Sequence, residues 1–134
     1  MSSRHAGVAR EIFTRAWSQG DFSGLEDVLA GPFEFHIRGT SQEMHLDDLR
    51  DIVARWREGF PDLRFEIEDI VSDGDLVAVR ARLTGTNLGP WRNREPTGLG
   101  IDVEHMFFLR FQGGRLTEVF ELLDQDALRR QLEP

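Results

Sequence analysis

Residues 60–82, FPDLRFEIEDIVSDGDLVAVRAR, leave this chain few folds to choose from. Phe65 and Ile67 alternate with Glu66 and Glu68. Beyond Asp73-Gly74, Val77, Val79 and Ala81 alternate with Ala78, Arg80 and Arg82. A period of two on both sides of an Asp-Gly dipeptide predicts a tight β-hairpin with one buried face. The segments before it read as helical, and the segments after it continue an antiparallel sheet.

Before the hairpin, Val8, Ile12, Phe13, Ala16 and Trp17 fall at helical spacing, which predicts an amphipathic helix over 4–18, stopped at Gly20. Leu25, Val28 and Leu29 predict a shorter helix over about 23–30, broken by Gly31-Pro32. Residues 33–38 read as a short strand and Gly39-Thr40-Ser41 as a turn. Leu49, Ile52, Val53 and Trp56 share one face of a helix over 46–59, with Asp47 and Asp48 in its first turn, where the helix dipole favours acids. After the hairpin comes a long connection, GTNLGPWRNREPTGLG, rich in glycine and proline. Strands over 101–111 and 116–123 follow, joined at Gln112-Gly113-Gly114-Arg115. Asp124 is placed to cap a last helix over 125–132.

Three helices followed by antiparallel strands and a short C-terminal helix predict an α+β fold in one domain, residues 1–134. Folded over the helices, such a sheet would enclose one cavity. The sequence has no cysteine, which excludes a disulfide framework and thiolate chemistry. The first residues hold no apolar run of the kind that targets a chain to a membrane, and no stretch is long enough to span one, so a cytoplasmic protein is expected. A net charge of −8 argues against nucleic acid, which needs a basic face. No two histidines and carboxylates stand at ligand spacing on one element, so no metal site is expected. Nucleophile-elbow, phosphate-loop and dinucleotide motifs are likewise absent from the sequence.

Several segments together resemble a known family. They are Trp17-Ser18-Gln19-Gly20-Asp21, Phe60-Pro61-Asp62-Leu63, Gly74 to Arg80, Gly85-Thr86, Pro96-Thr97-Gly98 and GGRLTEVFELLDQDALRRQL from Gly113 to Leu132. In this order they resemble the SnoaL-like polyketide cyclases of the nuclear transport factor 2-like superfamily. The resemblance implies a cone-shaped fold in which helices pack on a curved sheet around a deep pocket. It also implies a homodimer through the open sheet face, a hydrophobic small-molecule substrate, and no metal or organic cofactor. The cyclases close a ring by intramolecular aldol condensation, with an acidic residue on the last strand as the proton shuttle. Glu121 matches that position, where the family carries an aspartate.

The residues themselves leave the chemistry more open. Alternation puts Thr117, Val119 and Glu121 on one face of the last strand. A carboxylate on a buried face is suited to proton transfer near neutral pH; at a frayed strand end it would be solvated and inert. His105 shares a face with Val103, Phe107, Leu109 and Phe111, as a hydrogen-bonded core residue or as a pocket base. His36 is a further candidate on the first strand. It is either in the pocket or on an edge surface, and a slip of one residue would put Phe35 in the pocket instead. Trp17, Phe35, Trp56, Phe60 and Phe107 are candidate walls for a flat ligand, or plain core. Trp91, in the glycine-rich connection, is a candidate lid. Met106 and Phe108, beside Arg80, Arg82 and Glu104, mark the outer sheet face as a candidate dimer surface.

The expected activity is a cofactor-independent cyclase or isomerase of hydrophobic carbonyl compounds. Glu121 would take a proton alpha to the carbonyl, and His105 or His36 would serve the enolate oxygen. Epoxide or ester hydrolysis and non-catalytic binding of a small apolar ligand are the alternatives.

Overall fold

The computed structural model describes residues 2–133. Helix α1 (Ser2–Glu11) runs directly into a wider π-helical segment over Ile12–Trp17. Strands β1 (Phe33–Ile37) and β2 (Thr40–Met44) form a hairpin, and helix α2 (Leu46–Gly59) follows. Strands β3 (Arg64–Asp73), β4 (Leu76–Thr86), β5 (Gly100–Gln112) and β6 (Arg115–Leu123) complete the sheet, and α3 (Gln125–Gln131) ends the described elements. The strands lie in the order β2-β1-β6-β5-β4-β3. Neighbours are antiparallel except β1 and β6, which run parallel. This is the expected α+β architecture, three helices on an open, mainly antiparallel sheet with β2 and β3 as its edges.

The hairpin that organises the sequence forms as read. Asp73 pairs with Leu76 around Gly74-Asp75, with Gly74 at φ 61°, a conformation that costs a residue without Cβ little. Alternation along β5 is complete. Ile101, Val103, His105, Phe107, Leu109 and Phe111 are buried, and the residues between them are exposed. That inner face carries the core, where Phe13 of the π-helical segment lies 4.6 Å from Phe107 and 5.2 Å from Phe65, ring centre to ring centre. Ser18 fixes this helix to the sheet. Its hydroxyl donates to the Phe13 carbonyl at 2.7 Å and accepts the Phe65 N–H at 3.0 Å.

Two elements differ from the sequence reading. Residues 23–30 form a chain of turns instead of a helix. Gly24 at φ 80° interrupts the run, although Leu25 and Leu29 are still buried. Strand β2 occupies a segment read as a turn and its sequel. Four of its five residues are exposed, so it lacks the apolar alternation by which strands are recognised.

Candidate active site

Glu121 lies near the end of β6, in register with Ile37 of β1 on one side and Phe107 of β5 on the other. His105 pairs across with Leu123, so it is the diagonal neighbour of Glu121 on the same inner face, within reach of a long side chain. His105 Nε2 is hydrogen-bonded to Glu121 Oε2. The two side chains are only 1% and 8% exposed. The imidazole is packed 4.3 Å from the Phe107 ring and 5.2 Å from that of Phe65. Its Nδ1 is buried without a hydrogen-bond partner among the described residues.

That nitrogen favours one tautomer. A proton on Nδ1 would be a buried donor with nothing to accept it, which is costly. The neutral ring with its proton on Nε2 leaves only a lone pair unmet and donates to the carboxylate. The arrangement holds Oε2 of Glu121 against His105.

Glu121 borders a cavity of about 640 Å³ between the sheet and α2. Trp17, Phe35, Trp56 and Trp91 also line it. The Trp91 wall is part of the connection between β4 and β5, and Asn87 holds that connection in place. The Asn87 amide donates to the Gly59 and Gly89 carbonyls at 3.2 and 2.9 Å, and its oxygen accepts from Thr97 N–H at 2.9 Å and Thr97 Oγ1 at 3.1 Å. All four of its amide contacts are met in a residue that is 2% exposed. Gly89 is required beside it, because a Cβ there would lie 2.0 Å from the Glu58 carbonyl oxygen. Trp91 packs 4.2 Å from Trp56 and 5.5 Å from Phe60, ring centre to ring centre.

The mouth is polar. Arg38, Thr40 and Gln42 reach it from the β1–β2 hairpin, Arg55 and Glu58 from α2, and Arg92 and Asn93 from the connection. Solvent touches Arg92, yet desolvation, and after it the charge of Arg38, lower its pKa. The sequence has no lysine, tyrosine or cysteine, so the side chains left for proton transfer are carboxylates and histidines. Of these, Glu121 and Glu58 border the cavity, and Glu58 is on its exposed rim. Among the described residues, no three His, Asp or Glu side chains gather as a metal site would need.

Comparison with known proteins matches the pattern of the SnoaL-like polyketide cyclases to residues 7–132. The chain belongs to the SnoaL-like polyketide cyclase family. Similar solved structures include a protein of Jannaschia sp. CCS1, provisionally called a SnoaL-like polyketide cyclase, at 25% identity and TM-score 0.83, covering 99% of this chain and 95% of that one. AclR of Streptomyces galilaeus, provisionally called a hydroxylase, is 23% identical with TM-score 0.84, over 98% and 82% of the two chains. IdmH of Streptomyces antibioticus, provisionally a polyketide cyclase, is 23% identical with TM-score 0.81, over 96% and 98%. No curated protein matches the sequence.

Within this SnoaL-like fold the residues expected at the site divide into three groups. Glu121, Trp17, Phe35, Trp56 and Trp91 border the inner cavity. His105, Phe60 and Phe107 stand behind its surface, His105 holding Glu121 and the two phenylalanines packed in the core. His36 lies on the opposite face of the sheet, its ring stacked 4.2 Å from Phe120 and its Nε2–H donating to Glu118 Oε2 at 3.0 Å. Strand alternation makes this unavoidable once Phe35 faces the cavity. The polar mouth residues Arg38, Gln42, Arg92 and Gln125 carry no such signal in the sequence. They stand in turns, on the polar strand β2 and at the start of α3, where no periodicity marks them; only their proximity in space reveals them.

The outer face of the sheet holds a broader, open depression of about 710 Å³. Val71, Met106, Phe108, Phe120 and Leu122 are exposed there. It is the larger concavity, and Glu121 touches its edge as well. The Glu121 side chain is turned to His105 on the inner face, however, and the tryptophans line the inner cavity alone, so the inner cavity is the candidate active site.

Proposed function

We propose that this SnoaL-like protein is a cofactor-independent cyclase or isomerase of an apolar carbonyl compound, with Glu121 as its proton shuttle. The observation that carries the reading is the buried Glu121–His105 pair at the edge of an aromatic cavity. Substrate lies against Trp17, Trp56 and Trp91, with the carbon alpha to its carbonyl at the free oxygen of Glu121. The C–H bond breaks, its proton passes to Glu121, and the electron pair moves to the carbonyl oxygen as an enolate. In ring closure the enolate carbon forms a C–C bond to a second carbonyl, whose oxygen takes the proton from Glu121. In isomerisation the proton returns to another carbon. His105 acts through Glu121, fixing its orientation, and is a positioning residue.

The test is deuterium incorporation from heavy water at alpha carbons, read by mass spectrometry over a panel of polycyclic ketones and polyketide esters. Wild type should exchange at least one of them, and Glu121→Gln should be slower by about 10²–10⁴-fold, the usual contribution of a positioned base. Equal exchange in both would remove Glu121 from the mechanism. The same reading has the protein work as a homodimer. The exposed apolar outer face, with Leu122 at 69% and Phe108 at 50% exposure, supports it.

A further inference from the structure

Two arginines at the cavity mouth stand where a hairpin rarely tolerates them. Arg38 (φ 52°) and Gly39 (φ 75°) are the central residues of the β1–β2 turn, between the paired Ile37 and Thr40. Arg92 (φ 49°) and Asn93 (φ 62°) are the central residues of a second turn, closed by Trp91 N–H to Arg94 O at 3.1 Å and Arg94 N–H to Trp91 O at 3.0 Å. Positive φ at both central positions favours Asn or Gly, because a Cβ crowds the following carbonyl. The β5–β6 turn of this same chain obeys the rule, with Gly113 at φ 58° and Gly114 at φ 77°. Arg38, Arg92 and Asn93 are the non-glycine residues with positive φ among the described residues, and all of them border the inner cavity. Strain that gathers at one site points to function there.

The charges agree with the backbone. The chain carries a net −8, with 24 acids against 16 arginines. Yet the inner cavity has Arg38, Arg55 and Arg92 against two acids, Glu58 at the mouth and Glu121, which is buried against His105. Neither Arg38, Arg55 nor Arg92 forms an ion pair among the described residues. Arg92 lies over Trp91 at 5.0 Å, and its Nη1–H donates to the neutral Gln125 Oε1 at 3.2 Å. The Arg38 charge acts against that of Arg92. Two arginines lining one mouth in strained turns, neither in an ion pair among the described residues, suit an anion.

We propose that Arg38 and Arg92 bind an anionic oxygen group of the substrate, a carboxylate or a phosphoryl, at the cavity mouth while its apolar body lies among the tryptophans. The substrate class is then an aromatic or polycyclic carbonyl compound carrying one anionic group at the end remote from Glu121. This rests on the reading of the inner cavity as the substrate site, but not on Glu121 as a base.

All three tryptophans, Trp17, Trp56 and Trp91, border the cavity, so their indole N–H signals in a ¹H–¹⁵N spectrum report its occupancy. Three ligands of one ring system are titrated: 1-naphthoate, 1-naphthyl phosphate and neutral methyl 1-naphthoate. At least one anion should move the indole signals with about tenfold or more tighter binding than the ester, the ratio expected of charge-assisted hydrogen bonds. Which anion binds tighter assigns the group as carboxylate or phosphoryl. The advantage should vanish in the R38N/R92N double variant, whose asparagines suit the turns and keep the hairpins folded. Equal affinity for all three ligands, a preference that survives R38N/R92N, or indole signals that none of them moves would overturn the proposal. None of these ligands has a proton to give up at an alpha carbon. E121Q should therefore bind the preferred anion at least as tightly as wild type. Failure of the proton-transfer reading and failure of anion binding are thus seen separately.

Discussion

At the scale of single residues, the His105–Glu121 contact joins stability to activity. Replacing His105 by Phe keeps the ring among Phe65 and Phe107 but leaves a nearly buried carboxylate without its donor. That change should cost about 1–3 kcal/mol in urea unfolding. Adding Glu121→Leu removes the stranded charge, so the double variant should recover most of the loss while losing alpha-carbon exchange. A double variant no more stable than His105→Phe alone would mean that the pair is not coupled. Arg38 has the opposite sign. Its left-handed backbone costs of order 1 kcal/mol, so Arg38→Asn should raise the unfolding free energy by up to about that amount while weakening anion binding. Stability and function are thus opposed at one position, which a melting curve and a titration on the same sample would show.

The element that shapes the cavity is the connection between β4 and β5. It has little apolar area of its own and depends on Asn87, whose amide is bonded to Gly59, Gly89 and Thr97. Asn87→Ala leaves the buried Gly59 carbonyl and the half-buried groups beside it without these partners and should cost about 1–3 kcal/mol. It should also free Arg92 and Arg94 for cleavage, so trypsin should nick this loop first and faster than in wild type. Unchanged proteolysis would mean that Gly89, seated on the Glu58 carbonyl, and the Trp91 stack hold the loop by themselves.

For the whole molecule, the sheet divides the two tasks. Its inner face packs the core and frames the cavity. Its outer face carries Val71, Met106, Phe108, Phe120 and Leu122 among ion pairs such as Arg80–Asp69 at 2.7 Å and Arg82–Asp102 at 2.6 Å. A partner molecule covering this face would bury the apolar centre and keep the charged rim wet. Sedimentation should therefore give a dimer for the wild type. Phe108→Asp should sediment as a monomer, because a buried unpaired carboxylate costs several kcal/mol at an interface. A monomeric wild type would end the homodimer reading.

Much of this was legible in the sequence, because a period of two or of 3.6 is a one-dimensional record of which side faces the core. The hairpin, the face of β5, the helix over 46–59 and the Asp124 cap, whose carboxylate takes the Ala127 N–H at 3.0 Å, all follow from such patterns. So does the family, through the ordered set of turn and strand segments. What the sequence could not carry was which side of the sheet a short strand shows and what meets across long distances. His36 and Phe35 are adjacent in the chain, and only the pairing of β1 with β6 decides that Phe35 faces the cavity and His36 the outside. His105 and Glu121 lie 16 residues apart and become partners through the register of β5 and β6. Arg38 and Arg92, in turns with no period at all, border one cavity only because the folded chain places two turns at its mouth. Local patterning sets each element and its buried face; the assembly of the sheet alone brings distant polar side chains together, because their contacts leave no period in the chain.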